Sequence, residues 1–210
     1  MEALLNNTKL PYLSTAYLIS LFSKQKYPKD KIKNLLLKGD LIHLKQGLYL
    51  LGKEYRRTYS QEVLAGIIYG PSAISFEYAL SYHGLIPERV EVVTSICFKR
   101  NKGFKTPIGE FTYRYVTAKL YPLGVNYQQT EEGNFFIACP EKALCDLAYN
   151  IKLESDEEAL DYVLGSLRVD KEEVRKLNIS LLLELGKTYR RRSTAHLVDA
   201  LTLYQNKRKA

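Results

Sequence analysis

Along PKDKIKNLLLKGDLIHLKQGLYLL, residues 28–51, the hydrophobic pattern changes period once, from helical to alternating. Ile32, Leu35 and Leu36 recur at i, i+3 and i+4 and predict the buried stripe of a helix. Pro28 at the first helical position and Gly39 just past the last predict its start and stop. Asp30 sits in the first turn, where the helix dipole favours an acid. At about 100° per residue, the opposite side carries Lys33, Asn34 and Lys38, with Lys29 and Lys31 at its edges. Leu37 also falls outward, a position that the following hairpin could cover. After Gly39, LIHL and GLYLL alternate as strands joined by Lys45-Gln46-Gly47, with the glycine free to take a positive φ. Upstream, Glu2–Asn7 predicts a short helix, Pro11 breaks the chain, and Ser14 can cap a second helix through about Ser23 with Leu18, Leu21 and Phe22 inward. Three short helices and a hairpin predict a winged helix-turn-helix over residues 1–57, its third helix presented to the major groove.

GKEYRR, residues 52–57, is polar and basic and reads as a linker. Beyond it the pattern predicts a helix over Tyr59–Tyr69 and another, capped by Ser72 or Ser75, running to Tyr82. Val90–Phe98 and Phe111–Thr117 read as strands, KRNKGFKTPIGE between them as a loop, and FFIAC as a third strand after a turn at 131–134. From Pro140 onward the period is helical: Pro140–Asn150, Asp156–Leu167, Lys171–Leu177, Ser180–Tyr189 and Thr194–Gln205. The fold class expected is α+β: a winged helix-turn-helix, then a larger α+β domain over 58–210 with a small sheet and a helical C-terminal tail. Because the linker offers little core to share, residues 58–210 are expected to fold without the first unit.

Charge sharpens this division. Residues 1–57 hold 11 Lys+Arg against 4 Asp+Glu, so +7 of a chain total of +8 lies there. Residues 58–186 balance to −5 and residues 187–210 to +6. A basic balance concentrated in one small unit fits a surface that neutralises phosphates. Lys99, Arg100, Lys102 and Lys105 form a second basic cluster and Arg190, Arg191 and Arg192 a third; either could extend a DNA footprint or meet an acidic partner. The alternative for each is a solubilising loop or tail. At 46% hydrophobic and 26% charged the chain has ordinary globular composition. No apolar run approaches the ~20 residues needed to span a bilayer. MEALLNNTKLPYL lacks the regions of a signal peptide, and three unpaired-looking cysteines fit a reducing cytoplasm.

The candidate chemical constellations all have plainer readings. Ser193, His196 and Asp199 resemble a nucleophile, base and orienter, but at i, i+3, i+6 of one helix they cannot readily nest; Ser193 or Thr194 serves better as a cap. Cys139 and Cys145 with His83 or His196 lack zinc-ligand spacing and read as small buried hydrophobes. Glu131 and Glu132 read as a solvated turn. Asp146, four residues after Lys142, reads as a helix-surface ion pair. No glycine-rich phosphate loop is present, and no enzyme activity, metal or cofactor is expected.

Two longer runs carry a resemblance. PSAISFEYALSYHGLIPERVEVVT (71–94) and GNFFIACPEKALCDLAY (133–149) resemble the signature of the AbiEi-type antitoxins, winged-helix regulators of type IV toxin–antitoxin systems. The second run matches the family's pattern at Ala138, Pro140, Glu141, Lys142, Ala143, Leu144 and Asp146. The family's wing matches at Leu44, Gly47, Leu48 and Tyr49, while Gln46 replaces a usual basic residue and removes one phosphate contact. The likeness covers about residues 10–150. It implies a cytoplasmic bacterial protein of abortive infection and phage defence. Such a protein counteracts a cognate nucleotidyltransferase-like toxin and represses its own operon by binding double-stranded promoter DNA. The resemblance leaves open whether it touches the toxin directly. The residues by themselves reach a DNA-binding module joined to a larger domain, so a transcriptional regulator whose second domain senses a ligand or another protein is the alternative. The DNA-binding residues expected are Lys29, Lys31, Lys33, Asn34, Lys38 and Lys45.

Overall fold

Two sheets organise the chain, and the first is only three strands wide. The structure, a computed structural model, describes Thr8, residues 10–55 and residues 58–207. The helix expected at Glu2–Asn7 and the arginine pair that ends GKEYRR lie outside the described residues. The first sheet has the order β1–β3–β2, from β1 (Tyr12–Ser14), β2 (Leu41–Lys45) and β3 (Leu48–Leu51), all antiparallel. Strand β1 was not expected beside Pro11; three residues are too few to show a period, and β3 supplies its pairing. Helix α1 (Thr15–Leu21) follows directly, with the Tyr17 amide donating to Ser14 Oγ at 3.1 Å, the cap the sequence predicts. Helix α2 (Pro28–Lys38) begins at Pro28 and ends at Gly39, whose φ of 79° requires a residue without a Cβ penalty. Gly47, at φ 83°, turns the β2–β3 hairpin in the same way. Leu13, Leu18, Phe22, Ile32, Leu35, Leu41 and Leu51 close a small core between these elements.

The second sheet has six strands in the order β6–β7–β5–β4–β9–β8. Its strands are β4 (Ser72–Ile74), β5 (Val93–Cys97), β6 (Lys102–Thr106), β7 (Gly109–Tyr115), β8 (Val125–Thr130) and β9 (Gly133–Ala138). The β5–β7 and β4–β9 pairs are parallel and the rest antiparallel, so the sheet is mixed. It is larger than the small sheet expected. Strand β6 occupies much of the stretch read as a loop, and β8 was missed. Both are edge strands, paired on one side only, where lysine and uncharged polar residues are tolerated and hide the alternation. Strand β4 takes residues expected to begin a helix, and the helix α4 (Phe76–Tyr82) starts only after Ser75.

Helix α3 (Gln61–Ile68) lies against the sheet, where the Tyr113 hydroxyl donates to the Ala65 carbonyl at 2.7 Å. Helix α5 (Pro140–Asn150) packs against α4 and is buried on every side, Glu141 through Ala148 without exception. Helices α6 (Asp156–Asp161) and α7 (Lys171–Lys176), with a π-helical turn at Tyr162–Ser166 after α6, precede α8 (Ile179–Tyr189) and α9 (Arg192–Asn206); α8 and α9 pack against α5, and α6 and α7 against α9. These match the expected helical tail, except that the single helix over Asp156–Leu167 divides at the π turn. Among the described residues no helix is long and apolar enough to cross a membrane.

The two sheets are not separated by a linker in the energetic sense. Alternation along β3 turns Tyr49 and Leu51 toward the small core, and Leu48 and Leu50 the other way. Leu44, Leu48 and Leu50 belong to the same continuous core as Val63, Ile68 and Ile96. Strand β2 lies beside β6, and Lys45 Nζ donates to the Ile68 carbonyl at 2.5 Å. The expectation that GKEYRR joins units with little core in common is therefore corrected. A polar connection in sequence does not prevent the hairpin it leaves from being covered on both faces.

Candidate nucleic-acid interface

Helix α2 turns Ile32 and Leu35 inward and leaves Lys29, Lys33, Asn34 and Lys38 exposed, with Lys31 half-buried at the margin. The ordering follows from the 3.6-residue turn: burying one stripe of leucines in the small core forces the lysines outward. Among the described residues none of Lys29, Lys33 and Lys38 is held in an ion pair, so their ammonium groups are available to an incoming anion. Leu37 lies in the same face at 78% exposure; the hairpin does not cover it. Asp30 is the acid at the head of this surface, where it complements the helix dipole.

The remaining basic positions fall into three situations. Lys45, expected at the tip of the hairpin, is half-buried and spends its ammonium on the last carbonyl of α3. It therefore tethers the hairpin to the body of the protein and stands apart from the α2 face. Lys99, Arg100, Lys102 and Lys105 are exposed on and before β6, the strand that β2 lies beside, so this cluster neighbours the hairpin. Lys99 is anchored, donating to the Gly70 carbonyl and lying 5.4 Å from the Tyr69 ring centroid. Lys105, largely in water, lies 3.8 Å from the half-buried Glu110, a pair worth about 0–1 kcal/mol. Arg190, Arg191 and Arg192 form the exposed corner between α8 and α9, and the Arg191 guanidinium sits 5.1 Å from the Tyr149 ring centroid.

The catalytic-looking residues are occupied elsewhere. Ser193 Oγ donates to the Ile151 carbonyl at 2.9 Å and accepts from the Leu153 amide at 3.1 Å. Ser193 is thus no helix cap: Arg191 holds that position, and Ser193 instead ties α9 to the segment after α5. His196 Nδ1 meets Asp156 Oδ1 at 2.6 Å, and Asp199 is exposed. Cys97, Cys139 and Cys145 are buried free thiols, and burial pushes Cys139 up to about 12. Among the described residues no group of three or more His, Cys, Asp or Glu could hold a metal ion.

One cluster lies in the core where the sequence places a surface pair. Lys142 and Asp146 do form the expected i, i+4 pair, at 2.7 Å, but both side chains are wholly buried rather than on a helix surface. Asp146 Oδ2 accepts from Ser75 Oγ at 2.6 Å, and Oδ1 accepts from the Tyr189 hydroxyl, which itself accepts from Lys142 Nζ. Burial and the neighbouring Asp146 carboxylate push the Tyr189 phenol far up, so it stays neutral and keeps donating. Glu141 Oε1 accepts from the Asn178 amide at 2.7 Å, at the head of α8. These polar groups join the β4–α4 junction, α5 and α8 through the core. The sequence hides them because Ser75 and Tyr189 lie 71 and 43 residues from Asp146. The available signal was a Lys–Asp pair set inside an otherwise apolar helix.

The described residues thus define a mixed α+β protein with a basic helix and hairpin at one end and a helical C-terminal region at the other. No sequence-family model matches the chain, and no curated protein matches it. Among solved structures it is similar to one described as a "putative nucleotidyltransferase from H. pylori", with 11% identity, covering 71% of this chain and 92% of that chain, at a TM-score of 0.35. A likeness at that score carries no argument about fold or activity.

Proposed function

We propose that this protein is an antitoxin that represses its own operon, with the unit around α2 and the β2–β3 hairpin acting as a winged helix on promoter DNA. The observation that carries the DNA reading is the outer face of α2, where Lys33 and Lys38 flank Asn34 and Lys29 lies at the edge, all three lysines exposed and unpaired among the described residues. Lysines neutralise phosphates and set affinity and salt dependence, while Asn34 can make a bidentate contact to adenine. The neighbouring Lys102 and Lys105 on β6 offer further phosphate contacts beyond the hairpin. The antitoxin half rests on the resemblance of 71–94 and 133–149 to the AbiEi-type family, and the counterpart is a nucleotidyltransferase-like toxin. In this chain the Pro-Glu-Lys-Ala-Leu run of that resemblance lies in the core, so any toxin-facing surface belongs to other, exposed residues. The test has two arms. The full chain should shift its own promoter duplex in fluorescence anisotropy, with affinity falling steeply as salt rises. Co-expression with the product of the adjacent open reading frame should restore growth. Binding that is insensitive to salt, or no rescue at matched expression, would overturn the corresponding half.

A further inference from the structure

We infer that Leu37 is a specificity-determining residue of α2 that reads the C5-methyl group of a thymine. The inference rests on the DNA-docking reading of α2 above and adds a contact to it. Leu37, at 78%, is the most exposed large apolar side chain among the described residues. It sits one turn beyond Lys33, beside Lys38 and three residues after Asn34, in the middle of the face opposite Ile32 and Leu35. An isolated exposed leucine is unremarkable on most surfaces. Here it lies near the C-terminal end of a cationic helix face, with Lys33 one turn before it and Lys38 beside it as phosphate anchors, while the acid Asp30 is two turns away at the head of the helix. When those anchors seat the helix, the centre of the face meets the floor of the groove. Leucine carries no donor or acceptor, so the polar edges of the bases give it nothing to bind. Of the four bases only thymine presents an apolar group in the major groove, its C5-methyl. The separation also fits a paired readout with Asn34: three residues of helix rise about 4.5 Å, close to one base-pair step of about 3.4 Å. The thymine contacted by Leu37 therefore lies within a step or two of the adenine contacted by Asn34.

The preferred duplex is selected by the full-length wild-type protein from a randomised pool, and each thymine in it is then replaced singly by deoxyuridine, which lacks only the methyl group. At one position uracil should weaken wild-type binding about fourfold, the worth of one buried methyl. Leu37→Ala should bind the thymine and uracil duplexes equally. Lys33→Ala should weaken both while keeping their ratio. Leu37 is exposed and alanine has the highest helix propensity, so circular dichroism of Leu37→Ala should match wild type. If no thymine is sensitive to demethylation, or Leu37→Ala keeps the full thymine-to-uracil ratio, the assignment of Leu37 is wrong while the docking face stands. If the wild type binds no duplex, or Lys33→Ala loses nothing on any duplex, the docking reading itself fails and this inference fails with it.

Discussion

Helices α2 and α5 share the same local start signals and are opposites in the folded chain. Each has 11 residues, opens with proline, carries an acid in its first turn and contains lysine. Helix α2 sends Lys29, Lys33 and Lys38 into water, whereas α5 sends Lys142 into the core against Asp146 and Tyr189. The local signals that start a helix are therefore silent about where its charges go. What differs is the number of elements packed around each. The small core touches α2 along one stripe, while α4, α8 and α9 enclose α5. A lysine on α2 is free to act on a partner; the lysine on α5 is consumed in holding the protein together.

Several substitutions would break or sharpen that contrast. The most drastic removes α2 with its whole unit. Deleting residues 1–57 strips Leu44, Leu48 and Leu50 from the shared core, each worth about 1.5–3 kcal/mol when fully buried. The fragment should aggregate or lose its cooperative melt by circular dichroism. A soluble, sharply melting fragment would show that the hairpin's second face is dispensable.

Next comes the same Lys→Ala change made in both helices. Lys142→Ala leaves Asp146 charged and buried without its ammonium partner and should cost about 3–5 kcal/mol in urea unfolding. The paired replacement Lys142→Met with Asp146→Leu should recover part of that loss, because it removes the buried charge but leaves the Ser75 and Tyr189 hydroxyls without their acceptor. An additive double mutant would refute this account of the network.

Alkaline pH should weaken the α5 region before it touches α2. Cys139 is raised by burial from its ordinary 9.0 to about 12, and Tyr189 is raised by burial and by Asp146. A raised acid is protonated in the folded state while the unfolded chain already ionises. Its contribution to stability is thus complete below pH 9 and is lost as pH climbs toward 12. Cys139→Ala should flatten this alkaline limb of the unfolding midpoint. An unchanged limb would mean that the thiol is reached by water.

On α2 the effects move from stability to binding. Asn34→Ala should lower the discrimination between sequences by about 1–3 kcal/mol, read from competition between preferred and scrambled duplexes, with little change in melting. Lys33→Ala should reduce the slope of log affinity against log salt by roughly one for every sequence. Its unfolding free energy should stay within about 0.5 kcal/mol of wild type. A stability loss at Lys33 comparable to that at Lys142 would erase the contrast altogether.

Much of this architecture was legible along the chain. Proline and glycine punctuation bounded α2, leucine spacing gave its inner stripe, and the switch to alternation announced the hairpin. Pro140 likewise marked the start of α5, and helical periodicity marked α8 and α9. All of these signals are local, read within a turn or two of backbone. The tertiary structure decided what depends on distant partners. Edge strands β6 and β8 needed neighbours to become strands, because lysine and glutamine give no alternating pattern of their own. Whether Lys142 faced water or core depended on Ser75 and Tyr189, far away in sequence. Lys45 had the sequence of a wing tip and became a tether once Ile68 came within reach. Leu37 remained exposed because, among the described residues, no element covers its face. Periodicity ranks the faces of a helix relative to one another, but only the packed neighbours settle how many of those faces are covered, and that count separates a lysine that can bind from one that must be paired.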